Sequence, residues 1–138
     1  MLLQLPLPNI FLYSIPAAAV LIYLPYIVVA YGRAQVGFDL AAPRALFEKL
    51  PDYAKRATWA HQNSFETFMI FAPGALMAYI TGVNSTWGAI ACVAFVAARA
   101  LYSACYIFNI PILRSLMFGI GTFSSITLYY LSIIQVRA

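Results

Sequence analysis

Charged side chains are scarce in this chain: they make up 9% of its 138 residues, whereas hydrophobic residues make up 64%. A soluble domain is about 45–50% apolar, so this chain has too little polar surface to cover itself in water. The bilayer is therefore the expected solvent. A spanning helix needs about 20 mostly apolar residues, and four such stretches are present. They run from about Asn9 to Tyr31, Asp52 to Ile80, Ser85 to Phe108 and Pro111 to Val136.

The stretches between these helices leave no room for a soluble domain. Residues 1–138 are therefore predicted to form a single all-α membrane domain, a bundle of four transmembrane helices. A signal peptide is not expected, because the start, MLLQLPLPNIF, has no basic residue and no clean small-residue cleavage site. The first hydrophobic stretch is expected to remain as a helix.

Cysteine is rare as well, and both residues, Cys92 and Cys105, fall on the third predicted helix. At 1.5 Å per residue they lie about 20 Å apart. Because this separation excludes a disulfide within one chain, buried and unreactive thiols are the expected state. No group of His, Cys, Asp and Glu has the spacing of metal ligands, so no metal site is predicted.

Basic residues are distributed unevenly over the connections. The net charge of +4 is compatible with nucleic-acid binding, but most cations belong to the segment joining helices one and two: Arg33, Arg44, Lys49, Lys55 and Arg56. The second connection, TGVNST, has none, and Arg114 lies at the third. By the positive-inside rule, connections 1–2 and 3–4 face the cytoplasm and both termini the opposite side. The same cations would attract anionic lipid or an anionic ligand, and no nucleic-acid partner is predicted.

Helix two carries polar residues at a depth where few are tolerated. In RATWAHQNSFETF, residues 56–68, Glu66 lies about 20 Å along the axis from Asp52. Arg99 lies about 13 Å from the cytoplasmic end of helix three. A charge near the bilayer centre costs at least about 2.5–3.5 kcal/mol. Glu66 and Arg99 are therefore predicted to form an ion pair.

Spacings of three and four residues place several polar side chains on shared helix faces. The members are Arg56, Ala60, Asn63 and Glu66 or Thr67 on helix two, with Arg99, Tyr102 and Tyr106 on helix three. Arg114 opens helix four on the same side. The sequence predicts a cytoplasm-facing pocket for a small ligand that bears carboxylates, which arginine binds bidentately.

Each residue of this pocket also has a structural interpretation. A Glu66–Arg99 pair can serve only to fix the helix register, and Asn63 can hydrogen-bond to a neighbouring helix. His61 is interpreted as a capping or interfacial residue rather than a catalyst.

The aromatic and basic residues near the membrane surface have alternatives of the same kind. Tyr102 and Tyr106 are typical of an interfacial aromatic belt, and Arg114 of a charge that sets topology. A small transporter with Glu66 and Arg99 as a relay is a further hypothesis, but no discontinuous-helix pair or repeat supports it.

Three motifs in order resemble the MAPEG superfamily, the membrane-associated proteins of eicosanoid and glutathione metabolism. They are RATWAHQNSFETFMIF on helix two, RALYSACY on helix three and LRS at the start of helix four. The resemblance covers nearly the whole chain, including the DLAAPR loop. It implies a homotrimer that binds glutathione as co-substrate between neighbouring subunits, near the cytoplasmic side. Apolar small-molecule acceptors would arrive from the membrane lipid.

The resemblance also implies roles for individual residues. Those that would bind glutathione are Arg33, Asn63, Glu66, Tyr102 and Tyr106. Arg114 matches the arginine proposed to hold the thiolate, and a cation beside a thiol lowers its pKa below about 8.5. Trp59 and Gln62 replace cationic residues of many or some members, and Arg56, one turn earlier, is the candidate substitute.

Two functions of different classes follow from these observations. The first is a glutathione-dependent membrane transferase or peroxidase that acts on apolar electrophiles or lipid hydroperoxides. The second is a noncatalytic MAPEG-like scaffold or accessory subunit that keeps the polar core for packing.

Overall fold

The computed structural model describes residues 7–137. They form the long helices α1 (Leu7–Val36), α2 (Asp52–Ile80), α3 (Thr86–Ile107) and α4 (Pro111–Arg137), and a 3₁₀ helix (Pro43–Lys49) between α1 and α2. This part of the chain contains no strand, so the all-α prediction is confirmed. Residues 1–6, on which the signal-peptide prediction partly rests, lie outside the described residues.

Three of the long helices, α1, α3 and α4, are long and apolar enough to cross a membrane. The fourth, α2, has 29 residues and sufficient length. Its polar segment, residues 56–66, lowers its hydropathy, so that α2 is not among the helices that are apolar enough to cross a membrane by composition alone. The helix that is hardest to place in lipid by composition therefore carries the candidate site.

The first helix ends later than predicted, whereas the second begins at the predicted residue. The first helix continues past Tyr31 to Val36 and ends before Gly37, whose φ of 91° is a left-handed conformation that favours glycine. Pro51 occupies the N-cap of α2. Asp52 is the first helical residue, where a carboxylate interacts favourably with the positive end of the helix dipole.

The core joins all four helices through large aromatic side chains and small residues. Helix α3 packs on α4 and α1 on α2, and α2 also contacts both α3 and α4. Phe71 and Phe95 are fully buried and stack with their ring centroids 3.7 Å apart. Gly88 makes room for Phe11, since an added Cβ would lie 2.9 Å from Phe11 Cζ. Because Phe95 lies one turn before Arg99, the stacked pair fixes the α2–α3 separation beside the polar residues.

The cysteines and the glycines of α4 differ in what surrounds them. Cys92 and Cys105 are both free and buried, as predicted. Gly121 of α4 lies against Arg99, with 3.6 Å from an added Cβ to Arg99 Cδ. Gly119 faces open space in the single chain. Only Gly121 therefore contributes to packing around the site.

Candidate functional site

Arg99 is the centre of the polar cluster. It lies on the inner face of α3 with 3% of its surface exposed. Its Nη2 donates hydrogen bonds to Asn63 Oδ1 at 3.1 Å and Ser64 Oγ at 3.0 Å, both on α2. Its guanidinium lies over the ring of Tyr102, 3.9 Å from the centroid, a distance typical of a cation–π contact. Arg99 therefore ties α2 to α3 at the depth of the polar segment.

Two of the three nitrogens of this guanidinium have no hydrogen-bond partner among the described residues. The Nε and Nη1 atoms of Arg99 are buried and lack a hydrogen-bond partner among the described residues. A buried donor left unpaired costs about 1–3 kcal/mol, and more when it is charged. The position of Arg99 is therefore not optimised for the stability of the single chain alone.

The ion pair predicted between Glu66 and Arg99 is not formed in the folded chain. The Glu66 side chain is exposed, and its Oε1 accepts a hydrogen bond from Gln62 Nε2 at 3.3 Å. Successive residues are about 100° apart around a helix, so Ser64 and Glu66 point about 200° apart. The rotation of α2 thus turns Ser64, with Asn63, toward Arg99 and leaves Glu66 on the outer face.

Two tyrosines connect Arg99 to the start of α4. The rings of Tyr102 and Tyr106 meet edge to face, with centroids 5.6 Å apart. The Arg114 guanidinium lies over Tyr106, 4.6 Å from the ring centroid. The structure therefore brings together four of the predicted residues, with each arginine over a tyrosine ring.

Two grooves open beside the exposed face of α2. The loop groove, about 870 Å³, lies between α1, the 3₁₀ helix and α2, and its polar and aromatic lining includes Tyr26, Arg33, Arg44, Trp59, His61, Gln62 and Glu66. The tyrosine groove, about 350 Å³, is lined by Trp59, Gln62, Asn63, Glu66 and Tyr106. The predicted single pocket is thus divided: Arg33 lines the first groove, Asn63 and Tyr106 line the second, and Glu66 lines both.

Two further polar residues of α2 have structural partners. The Nδ1 of His61 lies 2.7 Å from the Ile22 carbonyl oxygen, and since a carbonyl only accepts, the ring nitrogen donates. His61 therefore joins α2 to α1. Arg56 Nε donates to the Ile107 carbonyl at 2.9 Å. Arg56 thus binds the last turn of α3, and it is not among the residues that line either groove.

Ser64 is a site residue that the sequence interpretation missed. It is buried, as are Ala57, Ala60 and Phe71, and these residues recur at spacings of three, four and seven along α2. A hydroxyl within a stripe of small buried residues is a signal that this residue meets a polar group on the facing helix. That signal is present in the sequence.

The sequence that forms this site is similar to that of a known family. The sequence model of the MAPEG family matches residues 10–134, which include every polar residue of the candidate site. The chain belongs to the MAPEG family. No curated protein and no solved structure matches it significantly. Family membership and three apolar helices make this MAPEG protein an integral membrane protein, with a role in glutathione-related or eicosanoid metabolism.

Proposed function

We propose that this MAPEG protein is a glutathione-dependent membrane transferase or peroxidase that acts on apolar electrophiles or lipid hydroperoxides. The observation that carries the proposal is the row of Arg99, Tyr102, Tyr106 and Arg114 beside a groove lined by Asn63. So many polar groups within an apolar bundle are costly unless they bind one another or a ligand. In a MAPEG protein the ligand would be glutathione.

The proposed chemistry depends on the glutathione thiolate. Arg114 is half-buried and its guanidinium lies over the ring of Tyr106, which lines the tyrosine groove. A cation at this place would lower the pKa of a bound thiol and increase the fraction of thiolate at neutral pH. In the transferase reaction, the sulfur forms a bond to an electrophilic carbon and the leaving group departs with its electron pair. Arg114 contributes by stabilising the sulfur anion before the attack.

Positioning of glutathione would use residues from both grooves. Glu66 is exposed to each of them and carries the negative charge that suits the α-ammonium group of the tripeptide. Asn63 and Tyr106 add hydrogen-bonding groups in the tyrosine groove, and Arg33 adds a cation in the loop groove for a carboxylate. Tyr102 contacts both the Arg99 guanidinium and the Tyr106 ring, and so it would hold these two groups in position.

A homotrimer is part of the proposal because one face of α2 is unsuited to lipid. Gln62 and Glu66 are exposed there, and a charge at this depth costs at least about 2.5–3.5 kcal/mol when it faces the hydrocarbon. A neighbouring subunit would pack against this face and shield it from lipid. Glutathione would then bind between the two subunits. All four α-helices would span the membrane, with the basic loop around Arg44 in the cytoplasm.

The proposal is tested by titrating glutathione into the detergent-solubilised protein while recording heat and the ultraviolet absorbance of the thiolate. Binding that is accompanied by a thiolate signal below pH 8 is the expected result, because the free thiol would be mostly protonated there. The absence of binding at millimolar glutathione would contradict the proposal.

A noncatalytic scaffold is the second candidate, and one observation favours it. Arg99 already binds Asn63 and Ser64 without a ligand, so part of the cluster joins helices in the folded chain. In that case the exposed polar face of α2 would serve assembly alone.

Glu66→Gln separates the two candidates. Its carboxylate contacts only Gln62 within the described chain, so we expect the variant to fold and assemble, with glutathione binding weakened about tenfold by loss of a charged hydrogen bond. Size-exclusion chromatography and calorimetry measure the two properties. Glu48→Gln, an exposed carboxylate on the 3₁₀ helix, is the matched control. The scaffold would be favoured if Glu66→Gln failed to assemble and if neither this variant nor the unmodified protein bound glutathione.

A further inference from the structure

A third groove, the α3–α4 groove, lies along the contact between the last two helices. Its volume is about 490 Å³. Helix α3 lines it with four residues between Trp87 and Ala94, and α4 lines it with seven residues between Ser115 and Thr127. None of these residues lines the loop groove or the tyrosine groove. The α3–α4 groove is therefore a separate feature of the bundle.

The groove lies on the side of α4 that faces away from the Arg99 cluster. Gly121 packs against Arg99 and Phe95, whereas Gly119 lines the groove. Residues two positions apart on a helix point about 200° apart, so the two glycines face nearly opposite directions. A Cβ added at Gly119 would meet no atom within 4 Å. The groove is thus open at Gly119 and separate from the proposed glutathione site.

The hydrogen-bonding groups of the groove are satisfied within their own helix. Its three hydroxyl side chains belong to Ser115, Ser124 and Thr127. Each hydroxyl donates to the carbonyl oxygen of the residue four positions earlier, at 2.8–3.0 Å. Within residues 7–137, the lining of this groove contains no charged side chain. A ligand of this groove therefore needs no polar group, and an apolar ligand suits it.

The recess lies between small residues and is bordered by large ones. Ala91 is buried and Gly119 has no side chain, while Trp87, Ile90 and Phe123 are 49–71% exposed. Both helices are long and apolar enough to cross a membrane, so these exposed side chains would face lipid hydrocarbon. A recess left empty there would lose dispersion contacts along its whole lining. Such contacts, rather than exclusion of water, drive association inside a bilayer.

The dimensions of the groove suit a single hydrocarbon chain. From Ser115 to Thr127 it extends over about 18 Å of α4, and half of the hydrocarbon core of a bilayer is about 15 Å thick. The volume then corresponds to a mean cross-section of about 27 Å². A helix of 10 Å diameter has a cross-section of about 80 Å². The groove therefore has the length of an acyl chain of one leaflet, and it is too narrow for a helix of another subunit.

We propose that the α3–α4 groove binds one acyl chain of a membrane phospholipid. The chain fills the recess at Gly119 and packs between the exposed side chains of Trp87 and Phe123. The phospholipid is then a bound component of the protein, distinct from the lipid that exchanges around it. This inference concerns a surface outside the glutathione site, so it stands or falls independently of the proposed reaction.

The fluorescence of Trp87 provides the test, because this residue lines the groove. The chain contains two tryptophans, Trp59 and Trp87, so Trp59→Phe leaves Trp87 as the single indole. The full-length variant in detergent is titrated with a phosphatidylcholine whose acyl chains carry bromine, which quenches indole fluorescence on contact. We expect the quenching to saturate at one lipid per chain and to be reversed by an excess of ordinary phosphatidylcholine.

Gly119→Leu, added to the Trp59→Phe protein, fills the groove itself. The space at Gly119 accepts the new side chain, so circular dichroism should show the helix content unchanged. The leucine takes the place of several carbons of the bound chain and removes their contacts, and we expect the lipid affinity to fall about tenfold. Ala97→Leu, which adds a leucine at an exposed α3 position outside the groove, is the matched control and should leave the affinity unchanged.

Three results would overturn the inference. Quenching that rises with the lipid fraction without saturating would mean that only bulk lipid contacts Trp87. Saturable quenching with the same affinity in Gly119→Leu would place the bound chain elsewhere beside Trp87. The absence of quenching would show that no lipid chain reaches the groove. In that case, a smaller particle for Gly119→Leu in size-exclusion chromatography would identify the groove as a contact between subunits.

Discussion

Replacing Arg114 with Ala is expected to lower the rate of glutathione conjugation about 10²–10³-fold at neutral pH, the usual loss when one preorganised group that stabilises an anion is removed. The guanidinium lies 4.6 Å from the centroid of the Tyr106 ring, and Tyr106 lines the tyrosine groove. Without it, the pKa of the bound thiol rises toward the ordinary value of about 8.5, and the thiolate fraction at pH 7 falls. Glutathione itself should still bind, because the other proposed contacts remain.

The pH dependence distinguishes this effect from a loss of folding. At pH 7 most of the thiol bound to the variant is protonated, and it ionises as the pH approaches the pKa of the free thiol. The rate of the variant should therefore recover between pH 7 and pH 9. The rate of the unmodified protein should change little over that range. Stopped-flow measurement of the thiolate absorbance and of conjugation provides both values. Arg137→Ala, on the exposed far end of the same helix, is the control. A variant at Arg114 with an unchanged pH profile would show that another group stabilises the thiolate.

The helices of this protein were predictable because each apolar run is bounded by residues that end helices. Pro51 precedes α2, Pro111 begins α4, and a turn with Gly82 in a left-handed conformation separates α2 from α3. The first helix extends beyond the predicted Tyr31 to Val36. In the structure Gly32 is helical and buried, and an added Cβ would lie 2.5 Å from Ala54 Cβ. This glycine serves close packing of α1 on α2.

The candidate site was only partly predictable, for reasons of geometry. Helical spacing is enough to place Tyr102 and Tyr106 on one face of α3, because both residues belong to the same helix. Which residue of α2 meets Arg99 depends on the rotation of α2 about its axis, and depth alone does not determine it. Depth alone favours Glu66 as the partner of Arg99, whereas in the structure Asn63 and Ser64 lie there.

Residues in loops and backbone partners are harder still to predict. Arg56 binds the carbonyl of Ile107, and every residue offers a carbonyl, so no side-chain pattern marks that partner. Arg44 reaches the loop groove because Phe47 meets Trp59, a contact across a connection without periodicity. Such positions become visible only when the loop conformation is known.

Replacing Arg99 with Ala is expected to lower the free energy of unfolding by about 2 kcal/mol. The change removes hydrogen bonds of a charged donor to Asn63 and Ser64, each worth about 1.5–3 kcal/mol, and leaves a cavity beside Tyr102. Relief of the buried, incompletely paired guanidinium offsets part of this loss. Reversible unfolding in mixed detergent, followed by circular dichroism, measures the change.

Arg99→Met separates the contribution of the charge from that of the side-chain volume, and Ser103→Ala is the control. Methionine refills the space without a charge, so we expect Arg99→Met to unfold within about 1 kcal/mol of the unmodified protein. It should nevertheless bind glutathione more weakly, because Asn63 and Tyr102 lose the group that orients them. Ser103 lies one turn from Arg99, and its buried Oγ has no partner within residues 7–137, so Ser103→Ala should leave both properties unchanged. If Arg99→Met were as unstable as Arg99→Ala, the charge itself would stabilise the fold. If instead Arg99→Met kept full glutathione affinity, Arg99 would serve helix packing alone.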